Sequence, residues 1–433
     1  MDKVHALLPI IKQSSPIRLI VPMGHSLLFD GFEVIEVEDT RQAYLNDCEC
    51  FYESLFSSFT LLGVTGTKGK TTIAWWFTHA LRYLGVKTAY IGTLGIFDTE
   101  LHPGVNTSVG LQTLIAELKK FKNLGISTVV CEVSSQGLDQ FRVPVRYFSL
   151  RIFTDLSEEH LDHHGNMQNY LNSKLQFFIG GRFDGLILDR TQYFSQIQEV
   201  ANQKLHRYGL LGQGHLPELA LQDSLNGIKL ISHSLKLEVP FTGFFNAENI
   251  LAVMEGLLLL GYSLDQIKNV VHHLPQVPGR MERISHPGGA QIFVDYAHSA
   301  QSLEFVLKSV SDLRLGRLIL VFGCGGDRDP AKRPRMGRAA ARFCDVIFLT
   351  SDNPRTEDPE KIMDAIQEGI GDHPGLQRMS DRRMAIQAAV ELLGPEDVLL
   401  VCGKGHEDYQ IVGNQRLHFS DREEIEAVCR TLV

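Results

Sequence analysis

The sequence predicts an α/β protein: a short leading α/β segment, then two blocks in which parallel strands alternate with helices. Three observations predict it. An apolar run at 59–64 enters a glycine-rich loop that leaves into a helical run at 73–84. Strand-like and helix-like stretches go on alternating to the end of the chain. Polar clusters recur just after apolar runs, where the carboxyl ends of parallel strands face a ligand crevice.

Residues 1–60 read as two strands (17–21 and 32–37) and a helix (39–56), with Ala43, Cys50 and Leu55 as candidate buried positions. This segment is small for an independent core and carries no obvious catalytic cluster, so it reads as a cap on the next domain. Next comes Leu62-Gly63-Val64-Thr65-Gly66-Thr67-Lys68-Gly69-Lys70-Thr71-Thr72. Gly66 and Gly69 let the backbone turn so that its N–H groups can point at phosphate oxygens, and the helix N-terminus adds partial positive charge. Lys70 can reach β- and γ-phosphates, and the Thr71 hydroxyl can ligate Mg²⁺. The common pattern has Gly five residues before Gly69, where this chain has Val64; the alternative is an ordinary glycine turn.

Further strands are expected at 88–91, 127–133, 147–154, 185–189 and 227–232, and a helix at 111–124 stopped by Gly125. Glu132-Val133-Ser134-Ser135 then falls at a strand end, and Glu132 and the segment after Phe153 should converge on the glycine loop. Ser157-Glu158-Glu159-His160-Leu161-Asp162-His163-His164-Gly165 is dense in metal-capable groups, although a solvated polar loop would look the same. Lys174, on a helix expected at 167–178, is by itself an ordinary exposed lysine. Asn246 and Asn249 share a helix face, where they could read a purine edge, or Asn246 could cap the helix.

A boundary is expected around Val277-Pro278-Gly279-Arg280. The second block has strands at 291–294, 318–322, 346–350 and 397–401. After them come Asp295-Tyr296-Ala297-His298, Gly325-Gly326-Asp327-Arg328-Asp329 running into Lys332-Arg333-Pro334, Asp352-Asn353-Pro354-Arg355, and Gly403-Lys404-Gly405-His406-Glu407. Each alone is a turn; four on one sheet edge suggest a site.

Composition sets the class. At 433 residues with 44% hydrophobic and 21% charged residues, the chain fits a globular protein of several domains. A net charge of −9 argues against nucleic-acid binding. The seven cysteines are scattered and complete no zinc pattern, which suits a reducing compartment. Residues 1–14 lack the features of a signal peptide, and no apolar run is long enough to span a membrane, so a cytoplasmic protein is expected.

In order and spacing, these motifs resemble the Mur ligase family from about Glu36 onward, through Thr65 to Thr72, Asn106-Thr107-Ser108, Glu132 to Ser135, His160-Leu161-Asp162-x-His164-Gly165, Asp295 to His298, Asp352 to Arg355 and Gly403 to Glu407. Within the family the likeness is to the branch that adds the third residue to UDP-N-acetylmuramoyl-dipeptide. The resemblance implies a central mononucleotide-binding domain at 61–278 and a Rossmann-like domain at 279–433 that closes over it, behind a shortened uridine-binding domain at 1–60. It implies a peptidoglycan-synthesising, ATP-dependent amide ligase, monomeric, in which a phosphoryl group activates a carboxylate as an acyl phosphate for attack by an amine. By the same resemblance Lys70, Glu132, His160 and Lys174 are catalytic; Thr71, Glu132, His160 and a carbamylated Lys174 hold two Mg²⁺; and Gly66, Thr67, Lys68, Gly69, Lys70, Thr71, Thr72, Asn246, Asn249, Arg280 and Asp295 bind ATP. Asn106, Thr107, Ser108, Ser134, Gln140 and Arg142 would hold the muramoyl-dipeptide. In the family, Asp-Asn-Pro-Arg accompanies meso-diaminopimelate rather than lysine: the planar fork of Arg355 suits the distal carboxylate that lysine lacks. Arg333, Asp352, Asn353, Pro354, Gly403 and Glu407 would complete that pocket, Glu407 meeting the distal ammonium, with His298 also facing substrate.

The chain departs from the family pattern at Asp155 (usually Asn), Glu159 (Asp), His163 (Tyr), Gln136 (His), Ser108-Val109 (Thr-Pro) and Ser299-Ala300 (Thr-Pro). The Ser-Arg and Gly-Asp-Gly-His elements that hold the uridine nucleotide are not found, and only the tail of that domain is matched, near 37–43. Two other readings therefore stand: the same chemistry on a carboxylate without UDP, or a nucleotide-binding regulator without catalysis. Retention of Lys70, Thr71, Glu132, His160 and Lys174 argues against the regulator.

Overall fold

A computed structural model describes residues 18–25, 32–104, 106–180, 183–202 and 204–432. The signal-peptide reading of 1–14 and the first residue of the strand expected at 17–21 lie outside them. In chain order the strands are β1 Leu19–Pro22, β2 Val34–Val37, β3 Thr60–Thr65, β4 Thr88–Gly92, β5 Gly95–Phe97, β6 Leu101–His102, β7 Thr128–Glu132, β8 Phe148–Phe153, β9 Asp184–Leu188 and β10 Leu205–Tyr208. They continue with β11 Ala220–Ser224, β12 Gly227–Ile231, β13 Lys236–Val239, β14 Glu282–Ser285, β15 Gln291–Asp295, β16 Leu318–Phe322, β17 Val346–Leu349, β18 Leu376–Arg378, β19 Val398–Cys402, β20 Tyr409–Val412 and β21 Gln415–His418.

The central sheet runs β10-β9-β8-β3-β7-β4-β5-β6. β3, β4 and β7 to β10 are parallel, and β5 and β6 fold back antiparallel at one edge. β3 lies between β7 and β8 because its residues after Thr60 are all buried, which only an interior strand covered on both faces allows. The chain leaves β3 at the point where the strand order reverses, which places the glycine loop at the ligand crevice. Helices Lys70–Tyr83 and Phe244–Leu259 pack on one face, around Trp76, Phe77, Leu251 and Leu257. Helix Leu111–Asn123 packs on the other, together with Leu45, Leu55 and Phe56 of the leading segment. The described residues of that segment thus bury their apolar side chains in the central domain's core.

The C-terminal sheet runs β14-β15-β19-β16-β17-β18, parallel except for β14. The carboxyl ends of β15, β16, β17 and β19 share one edge, so the four polar clusters do assemble there. No helix among the described residues is long and apolar enough to cross a membrane.

Several expectations need correction. The helix at 39–56 breaks at Tyr52 into Thr40–Phe51 and Glu53–Phe56. Its buried stripe is Leu45, Cys48 and Glu49, whereas Ala43 is only half-buried and Cys50 is exposed. At about 100° per residue, Cys50 sits on the far side from Cys48. The helix at 167–178 ends at Leu175 and tightens into one 3₁₀ turn, Gln176–Phe178. The sequence reading missed β5, β6, β10, β11, β13, β14, β18, β20 and β21; these are short strands, most of them at sheet edges or in small antiparallel sheets, where one solvated face dilutes the apolar signal.

Candidate active site

Helix Lys70–Tyr83 begins at Gly69, which has no side chain to cap it, so its first-turn N–H groups have no side-chain acceptor. Gly69 has φ +83°, and a Cβ there would lie 2.6 Å from Asn249 Oδ1. Only glycine lets the loop turn left-handed and lets Asn249 approach it. Lys70 folds back, its Nζ donating to the carbonyls of Gly66 (3.0 Å) and Thr67 (2.8 Å). Burial lowers the pKa of Lys70, with Glu132 and Glu159 opposing and Arg280 adding to the fall.

Glu132, at the end of β7, is buried. Its Oε2 accepts from Thr71 Oγ (3.0 Å) and Thr93 Oγ (3.1 Å), its Oε1 from Tyr90 OH (2.5 Å) and the Thr93 backbone N–H (2.8 Å). Burial beside this carboxylate raises the Tyr90 pKa well above its ordinary value, so the phenol stays a donor. Tyr90 and Thr93 were not foreseen: Tyr90 lies inside an apolar strand, where nothing local marks it.

Lys174 corrects an expectation. It is 1% exposed, and its Nζ donates to the Gly66 carbonyl at 2.9 Å. Burial, reinforced by Lys70, pushes its pKa well below the ordinary value, against Glu159 and Asp139. His160 has φ +56° at the start of the short helix Leu161–His164 and lines one cleft with Lys70 and Glu132. Asp155 is engaged by Arg190 and by the Leu156 N–H.

The two sheets meet across this loop. Arg280 donates to Thr71 Oγ at 3.3 Å and stacks on Tyr296, and Lys68 sits 4.2 Å over the ring of Phe305. Asp295 accepts from the N–H groups of Met281 and Ala297, and burial raises its pKa. Asn246 is not a cap: Gly243 takes the N-cap position, and Asn246 donates to Thr242 O and accepts from Asn249. Lys70, Thr71, Glu132, His160, Asn246, Asn249, Arg280, Asp295 and Tyr296, with Thr67, Lys68, Thr72 and His298, line one cleft of about 290 Å³, and Lys174 lies behind it.

A second cleft of about 340 Å³ opens beside it, lined by Asn106, His406, Glu407 and Arg416, and shares Thr93, Thr107 and Tyr296 with the first. Ser108 Oγ bonds to the Glu132 carbonyl and the Ser134 N–H, and Arg142 bonds to Ser108 O and Gln140. On the far side, Asn353 donates to Glu407 (2.9 Å), and Glu407 also accepts from the fully buried Lys404 (3.2 Å). Both bonds fall on Oε2, so Lys404 and Asn353 fix the carboxylate while it still lines the second cleft. Arg355, at φ +53°, uses one nitrogen on Gly326 O and Asn353 O, and among the described residues its other donors have no hydrogen-bond partner. Arg333 pairs with Glu357, and Asp352 lies against Gly403 with Pro354 two residues on.

The description "Mur ligase middle domain" matches residues 64–256, and "Mur ligase, glutamate ligase domain" matches 279–405. A UDP-N-acetylmuramoyl-L-alanyl-D-glutamate--2,6-diaminopimelate ligase of Clostridium acetobutylicum, numbered 2 in that organism, is 37% identical over 402 residues, 90% of this chain and 82% of that protein. The chain belongs to the Mur ligase family. A like-named ligase of Thermosynechococcus vestitus is 38% identical over 401 residues, covering 90% of this Mur ligase and 81% of its relative. A solved structure of a ligase of that name superposes with a TM-score of 0.66 at 29% identity, covering 92% of this chain and 84% of the other. A Mycobacterium tuberculosis folylpolyglutamate synthase complexed with ADP shares the fold alone: TM-score 0.67, 17% identity, 91% and 94% covered. This Mur ligase is thus an ATP-dependent acid–amino-acid ligase of α/β architecture.

Proposed function

We propose that this chain joins meso-diaminopimelate to UDP-N-acetylmuramoyl-L-alanyl-D-glutamate in cytoplasmic peptidoglycan synthesis, as an ADP-forming monomer divided near residues 60 and 278. One observation carries the reading. The cleft around the glycine loop and the cleft leading to Glu407 share Thr93, Thr107 and Tyr296, so a carboxylate lying between them meets both a phosphate cradle and an incoming amine.

The residues suit a nucleotide triphosphate and a hard cation. Uncapped N–H groups, Lys68, Lys70 and Arg280 gather positive charge where two anions must approach each other. Arg280 Nε is buried without a partner among the described residues. Thr71 and Glu132 offer converging oxygens for Mg²⁺, with His160 at the rim for a second ion. Bound Mg²⁺ supplies the charge that screens the phosphates. Lys70, released from the Gly66 and Thr67 carbonyls, would neutralise the transferring group. Asn246 and Asn249 would orient the base.

Lys174 is buried against the Gly66 carbonyl, where an ammonium is costly and a neutral or modified amine is favoured. Burial lowers its pKa, which favours the neutral amine that adds CO₂ and loses a proton, giving a carbamate. That exchange turns a buried cation site into an oxygen donor beside Gly66. Asn106, Thr107, Ser108, Ser134, Gln140 and Arg142 would hold the dipeptide acid, and Arg355 the distal carboxylate of diaminopimelate. Arg333, Asp352, Asn353, Gly403, Glu407 and His298 would shape that pocket.

The test is ADP release by the purified chain. It should require UDP-muramoyl-dipeptide and diaminopimelate together. Equal turnover of the dipeptide without UDP, or of lysine in place of diaminopimelate, would refute the assignment.

A further inference from the structure

We propose that Asp139, His163 and His164 form a binding site for a borderline divalent cation of the Zn²⁺ class, which clasps the loop carrying His160 to the helix that comes after Glu132. His163 Nε2 lies 3.3 Å and His164 Nδ1 3.4 Å from the same carboxylate oxygen, Asp139 Oδ2. The three ligand atoms all fall within 4.8 Å of one another. Good N–H···O hydrogen bonds are shorter, about 2.7–3.2 Å. The edge of a tetrahedron with metal bonds of about 2.0–2.1 Å is about 3.4 Å, so the two imidazole–carboxylate spacings fit shared ligation better than two hydrogen bonds.

The surroundings fit as well. The His164 ring is held, its side chain 2% exposed and stacked on Tyr170 at 4.8 Å. Its other nitrogen, Nε2, lies 2.9 Å from Ser135 Oγ. That is the outer partner a metal-bound imidazole needs, with Nε2–H donating and Nδ1 free to ligate. The side chains of His163 and Asp139 are 34% and 28% exposed, which leaves an entry path and room for a water as fourth ligand. Two imidazoles and one carboxylate select Zn²⁺, Co²⁺ or Ni²⁺ over Mg²⁺. None of the three residues lines the clefts around the glycine loop, so this site is separate from the candidate Mg²⁺ ligands and does not depend on the proposed ligase function.

Asp139 ends the helix Ser135–Asp139, and His163 and His164 end the helix Leu161–His164 that starts from His160. A cation there would tie these two short helices together and fix where His160 stands.

The test uses the full chain, stripped with a chelator and titrated with Co²⁺ in excess Mg²⁺. One equivalent should bind with the visible absorption of four-coordinate Co²⁺, be displaced by Zn²⁺, and raise the thermal midpoint. His163→Tyr and Asp139→Asn should each weaken binding at least about tenfold while far-UV circular dichroism stays unchanged. Should one variant fail to fold, the other carries the comparison. Wild type without saturable binding, or a folded variant within tenfold of it, overturns the proposal. Binding that persists in both variants belongs elsewhere, such as the exposed Cys50 thiol, and also overturns it.

Discussion

Replacing Tyr90 with Phe removes one oxygen and nothing else from the buried support of Glu132. That oxygen donates to Glu132 Oε1 at 2.5 Å and accepts from the Leu94 N–H at 3.2 Å. Tyr90 is fully buried, so water does not replace either bond. Losing a hydrogen bond to a charged acceptor costs about 1.5–3 kcal/mol, and orphaning a buried N–H about 1–3 kcal/mol. Thr93 still donates twice to the carboxylate, so the lower half of the sum, about 3 kcal/mol, is expected. The assay is urea unfolding followed by tryptophan fluorescence. The chain has two tryptophans, Trp75 and Trp76, both on the helix leaving the glycine loop, and Trp75 meets Tyr90 edge-on at 5.4 Å. The signal therefore reports this region. If Glu132 holds Mg²⁺, the variant should also need more Mg²⁺ for half-maximal ADP release. A stability within about 0.5 kcal/mol of wild type, with an unchanged Mg²⁺ requirement, would show that Tyr90 does not position the carboxylate.

Lys70→Ala should lower kcat by at least about 10²–10³-fold, measured as ADP release, with the folded state intact by circular dichroism. Arg355→Lys keeps the charge but not the fork, so kcat/KM for diaminopimelate should fall about 10–10²-fold while that for lysine does not; equal losses for both would remove Arg355 from specificity. With ¹³C-bicarbonate, a carbamate resonance should appear in wild type and vanish in Lys174→Arg, and exclusion of CO₂ should slow turnover reversibly. His406 is held neutral by burial, its pKa down to about 4 from 6.5. Below 6.5 the unfolded chain binds a proton that the folded chain refuses, so this group's contribution to stability falls as pH drops from 6.5 towards 4. The loss should reach about 1–3 kcal/mol. His406→Gln should flatten that part of the pH–stability curve, and an unchanged curve would place the titration elsewhere.

The glycine loop, its helix and the interior strands were legible because their signals are local. β3, β16 and β19 are short apolar runs bounded by turns, and Gly69-Lys70-Thr71 carries its conformational demand in its own residues. That the four polar clusters share one edge follows from parallel pairing, which alternation alone predicts. The fate of individual charged side chains was not legible. Lys174 by itself reads as an exposed lysine and is buried on Gly66 O; Glu407 reads as a substrate partner, and one of its oxygens is taken by Lys404 and Asn353; Asn246 reads equally as a cap or a base contact and sits inside the helix, bonded to Asn249. Tyr90 and Thr93 gave no signal, yet they hold Glu132. Residue types and spacings fix which groups can do chemistry, because turn geometry and apolar periodicity are properties of neighbours along the chain. Which of those groups are free to do it depends on the contacts that folding makes, some a single turn away, as between Lys404 and Glu407, and some 108 positions apart, as between Lys174 and Gly66, because tertiary packing and not spacing decides which acceptors a buried side chain meets.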